Sequence, residues 1–91
     1  MSLPADWHPY QVSMADGCFA ATDSVTGLRV EDDSLSVAMG FLHRLMIDRR
    51  DELAARDPES LDETERRDLE HLLTYPDAFL QQGLWLARNA A

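Results

Sequence analysis

From position 10 to 14 the chain alternates apolar and polar residues at a period of two. Tyr10, Val12 and Met14 are interleaved with Gln11 and Ser13, the pattern of a strand with one buried face. Asp16-Gly17 follows, a dipeptide whose tolerance of positive φ makes it a tight hairpin turn. Cys18–Thr22 resumes as a second strand, with Phe19 and Ala21 on one face and Cys18 and Ala20 on the other. A second turn cluster, Asp23-Ser24-Val25-Thr26-Gly27, precedes a short third strand at Leu28-Arg29-Val30.

From Ser34 the rhythm changes to three and four. Leu35, Ala38, Leu42, Leu45, Met46 and Leu53 line one side of a helix over about 34–56. Val37, Met39, Phe41 and Ile47 make the other side apolar as well, so the first half is expected to be covered on more than one face. Glu31, Asp32 and Asp33 sit where the helix dipole favours negative charge, and Asp33 or Ser34 can cap the first turn. Gly40 inside this helix costs ~1 kcal/mol relative to alanine and marks an expected close approach of another backbone.

Asp57-Pro58-Glu59-Ser60 breaks the pattern, and Ser60 with Glu63 has the spacing of a capping box for a second helix over about 61–73. Its apolar stripe is thin: Leu61, Leu69, Leu72 and Leu73. Thr74-Tyr75-Pro76 ends it, and a third helix over about 77–89 carries Phe79, Leu80, Gly83, Leu84 and Ala87 on one side. Gly83 leaves open a shorter helix with 84–88 extended. The expected class is α+β: a three-stranded antiparallel sheet (about 10–30) roofed by the long helix, then two shorter ones. Ninety-one residues make one domain, with 1–9, held extended by Pro4 and Pro9, as an arm tacked on by Trp7.

Composition narrows the function. Seventeen acids against eight bases give a net charge of −9, and every base is arginine. Without lysine the chain has neither a Schiff-base amine nor a P-loop lysine. An acidic surface repels phosphate backbones and anionic membranes, so a basic protein partner is expected rather than nucleic acid. The arginines interleave with acids, as on solvated, salt-bridged helix faces. No apolar run reaches the ~20 residues of a membrane span. The first residues have neither a basic nor an apolar leader region, so the expected location is the cytoplasm.

Candidate chemistry is sparse. His8, His43 and His71 fall in three different elements without a second ligand at metal spacing, and no cofactor motif occurs. Cys18 is alone, so it forms no intramolecular disulfide and reads as a structural thiol. Glu31-Asp32-Asp33 lacks the ligand spacing and turn glycine of a calcium loop and reads as a helix start. An enzyme would have to use His43 or Cys18 beside a carboxylate in a cleft.

The order of strand, Asp-Gly turn, strand, turn, strand and an acid-started helix at Asp32-Asp33-Ser34-Leu35 is similar to the beginning of HicB-like antitoxins. That likeness implies an antitoxin or regulatory homodimer. It departs where the family's proline-glycine segment is replaced by Asp23-Ser24-Val25-Thr26-Gly27. In size and charge the chain also resembles small phage anti-defence proteins, anti-CRISPRs among them, which implies inhibition of a nucleic-acid-binding partner by charge mimicry. The favoured expectation is a non-catalytic, acidic protein-binding module. Its expected partner-binding residues are Glu31, Asp32, Asp33, Trp7, Tyr75 and Trp85, aromatic anchors within a charged rim. Self-association through the second helix and Trp85 is the second expectation.

Overall fold

The computed structural model describes residues 10–88; the expected arm, with Trp7, lies outside them. Three antiparallel strands, β1 (Gln11–Ala15), β2 (Cys18–Thr22) and β3 (Arg29–Asp32), pair in the order β1-β2-β3. Asp16 and Gly17 both have positive φ, 54° and 79°, as a two-residue type I′ turn requires. Five consecutive pairs from Gln11↔Thr22 to Ala15↔Cys18 leave no bulge in the hairpin. Because directly opposed residues share a face, Val12, Met14, Phe19, Ala21 and Val30 form the helix-facing side. Gln11, Ser13, Cys18, Ala20, Arg29 and Glu31 form the open side.

Helix α1 (Leu35–Ala55) is capped by Ser34, whose Oγ accepts from the Val37 N–H, while Asp32 Oδ1 accepts from the Ser34 N–H. Ala38, Leu42, Met46 and Leu53 are fully buried along it, and His43 and Ile47 are buried beside them. The two apolar sides expected for its first half are not both covered. At about 100° per residue, Met39 and Ile47 belong to the buried arc, whereas Phe41 and Leu45 fall outside it and are 54% and 40% exposed. Leu45 therefore leaves the stripe to which its spacing assigned it.

The second helix begins later than its sequence signal indicated. Asp57 accepts from the Glu59 N–H and closes a separate 3₁₀ turn, Pro58–Ser60. Leu61 then turns into the core, and Asp62 caps α2 (Glu63–Leu73) in a reciprocal box with Glu65. Only Leu72 and Asp68 of α2 are buried, and Leu73 is 62% exposed, so the stripe is thinner still. Helix α3 (Asp77–Arg88) runs through Gly83 without a break, settling the alternative of an extended 84–88. Gly83 is also a close-approach glycine: a Cβ there would lie 2.0 Å from His43 Nδ1. Gly40, where the sequence predicts a close approach, is buried in α1.

Candidate functional site

Two buried polar nodes hold the elements together, and each uses a histidine. At the first, His43 Nδ1 lies 3.1 Å from the Leu80 carbonyl and Nε2 lies 2.6 Å from Tyr10 Oη. A carbonyl only accepts, so Nδ1 carries the proton and the Tyr10 hydroxyl donates to Nε2. Sheet, α1 and α3 thus meet at one ring, with Phe79 packed 4.9 Å away between centroids. Burial pushes the imidazole below its ordinary value of 6.5 and the Tyr10 phenol up to about 12. Both ring nitrogens are engaged in structural bonds.

At the second, Asp23, buried in the β2–β3 turn, accepts through Oδ1 from His71 Nε2 at 2.7 Å and from the Tyr75 hydroxyl at 3.4 Å. Its Oδ2 accepts from the Thr26 N–H and hydroxyl. The turn is thereby tied to the end of α2, which the spacing of Asp23 and His71 along the chain gave no means of seeing. Tyr75 is 3% exposed, so its ring belongs to the core and not to an outer surface. Burial, and then the Asp23 charge, raise its phenol.

The other expected binding residues within the described chain are spread over β3, the turn into α1 and α3. Glu31 turns to the open sheet face and pairs with Arg29 at 2.6 Å, Asp32 is half-buried under the start of α1, and Asp33, next in the chain, is exposed. Trp85 is 60% exposed on α3. Cys18 is exposed in a shallow hollow with Ser13, Asp16, Arg29 and Glu31. Neither His43 nor His71 lines that hollow. Among the described residues no three His, Cys, Asp or Glu side chains converge on a metal position, and no helix is long and apolar enough to cross a membrane.

What the structure does bring together is the outer face of α1. Positions 37, 41, 45, 48 and 52 fall within about 80° of one another around the helix. Phe41 and Leu45 are exposed there, Val37 is half-buried at the same edge, and Asp48 and Glu52 continue the row into acid. Arg44 pairs with Asp48 and Arg49 with Glu52 across exposed surface. Arg49 also reaches inward to buried Asp68, and Arg56 pairs with Glu65, so these two bases are partly turned towards α2. Sequence reading missed this row because it counted Phe41 and Leu45 as core; only the packed neighbours decide which apolar side is roofed.

No protein-family model, curated protein or solved structure matches the chain. The likeness to HicB-like antitoxins therefore rests on the order of elements alone.

Proposed function

We propose that the protein is a non-catalytic binding module that lays the outer face of α1 into a groove on a basic protein partner. The observation that carries this reading is the exposed row Val37-Phe41-Leu45 continued by Asp48 and Glu52. Such i, i+4 anchors are how a helix is read by a groove. Phe41 supplies an aromatic anchor of the kind that dominates binding energy. The net charge of −9 selects a positively charged partner and speeds its encounter. Where that groove ordinarily takes nucleic acid, occupying it inhibits the partner by charge mimicry. Support for the non-catalytic part comes from His43 and His71, whose bonds tie elements together.

The test is capture of partners from a lysate of cells that natively make the protein, using wild type and surface variants. Phe41→Arg should weaken the captured complex by roughly 30-fold, the loss of a ~2 kcal/mol anchor. Asp48→Arg with Glu52→Arg should weaken it further at low salt than at high salt. Glu70→Arg, on exposed α2, should leave it unchanged. A captured partner indifferent to Phe41→Arg and to the Asp48→Arg, Glu52→Arg pair, or weakened as much by Glu70→Arg, contradicts the reading.

A further inference from the structure

The two edges of the sheet are built differently. On β3, Arg29, Glu31 and Asp32 make three of four residues charged, which is how natural sheets keep an edge from pairing. β1, Gln-Val-Ser-Met-Ala, carries no charge, no proline and no bulge, and all five residues are exposed. Among the described residues nothing pairs with its outer side.

Hydrogen-bond alternation then decides which residues that outer side presents. In a type I′ hairpin the residues flanking the turn, Ala15 and Cys18, exchange both backbone bonds. Alternation gives Ser13 and Gln11 the same inward role and turns the N–H and C=O of Val12 and Met14 outward. These are also the two residues whose side chains lie exposed on the helix-facing side, at 43% and 68%. One pair of residues thus offers both unpaired backbone and uncovered apolar surface.

We infer that β1 pairs with β1 of a second copy, antiparallel about a two-fold axis through Ser13, to make a continuous six-stranded sheet. The strand is self-complementary in this register. Val12 of each copy faces Met14 of the other, exchanging four backbone bonds in all, and the four side chains extend the apolar row of Ala21 and Phe19 across the axis. The self-complementary register argues for a second copy as the occupant. Charge sets where it docks: two chains of −9 repel wherever acids meet, and 11–15 is an exposed stretch without charge where a second copy approaches at least cost. A pair of five-residue strands buries less than the ~1,200–2,000 Å² of a stable interface, so the dimer is reversible, in the micromolar range. The contact differs from the α2 and Trp85 surface to which sequence reading gave self-association. It is also independent of the partner-binding face of α1, and its test needs only the purified protein.

Sedimentation equilibrium over roughly 1 to 500 µM spans such affinities. Wild type should rise from the 10.3 kDa monomer towards twice that mass. Met14→Pro removes an outward donor without touching the β1–β2 bonds and should stay at the monomer mass. A second arm keeps the inference falsifiable should that variant not fold. In a Cys18→Ser background, Ser13→Cys places two thiols opposite each other at a non-hydrogen-bonded pair, about 4.5 Å between Cα atoms, within disulfide reach. Mild oxidation should link Ser13→Cys into dimers and leave Gln11→Cys largely unlinked. A wild-type mass of 10.3 kDa throughout, a folded Met14→Pro that still dimerises, or Gln11→Cys linking as readily as Ser13→Cys would each overturn it.

Discussion

At the scale of single residues, stability concentrates at His43. The ring sits against Gly83, where a Cβ would meet Nδ1 at 2.0 Å, and it cannot swing aside without breaking its bonds to Tyr10 and Leu80. Gly83→Ala improves helix propensity by ~1 kcal/mol, yet overpacking costs typically ~1–3 kcal/mol. The second effect should win, with a net loss seen as a lower urea midpoint; a more stable variant would show that the ring yields freely. The same node gives a pH dependence. A folded imidazole held below 6.5 takes a proton less readily than the unfolded chain. Its contribution is therefore whole above pH 6.5 and is lost as pH falls through that value towards the lower folded one. For Tyr10, raised from 10.0 to about 12, the loss comes as pH rises past 10.0. Urea midpoints measured from pH 7 down to 5 should fall more steeply in wild type than in His43→Gln. Equal slopes would remove His43 from the cause.

At the scale of elements, the local signals were legible where the chemistry is local. The Asp16-Gly17 turn, the alternation around it and the 3.6 period of α1 follow from neighbouring residues, and the structure has all three. What could not be read depends on partners distant in sequence. Leu45 and Phe41 carry the same apolar signal as Leu42, and only the placing of the sheet and α3 leaves them outside. The Asp23–His71 bond spans 48 positions and the Tyr10–His43 bond 33. Capping misled for a different reason: Ser60-Glu63 and Asp62-Glu65 have the same spacing, and the 3₁₀ turn at Pro58 delays the helix to the second. Asp62→Ala should therefore cost ~1 kcal/mol by thermal or urea unfolding, as an N-cap does, and Ser60→Ala less than ~0.5 kcal/mol, as at an ordinary surface site. The reverse order would return the cap to Ser60.

At the scale of the whole molecule, the polar groups that enter the interior serve cohesion, and the surface that stays outside mixes acid with uncovered apolar side chains. The chain turns Asp23, His43 and Tyr75 inward and leaves Phe41, Leu45 and Met14 outward. The proposed recognition by α1 and the inferred self-pairing of β1 use surfaces on different elements, which can be probed separately. Recognition by α1 is tested most directly by site-directed photo-cross-linking in the native cell, with a benzophenone side chain at position 41 and, as a control, at position 70. A covalent adduct to a basic protein from position 41, absent from position 70 and suppressed by Asp48→Arg with Glu52→Arg, is the expected result. Adducts of equal yield from both positions, or none from 41 where 70 gives one, would contradict it.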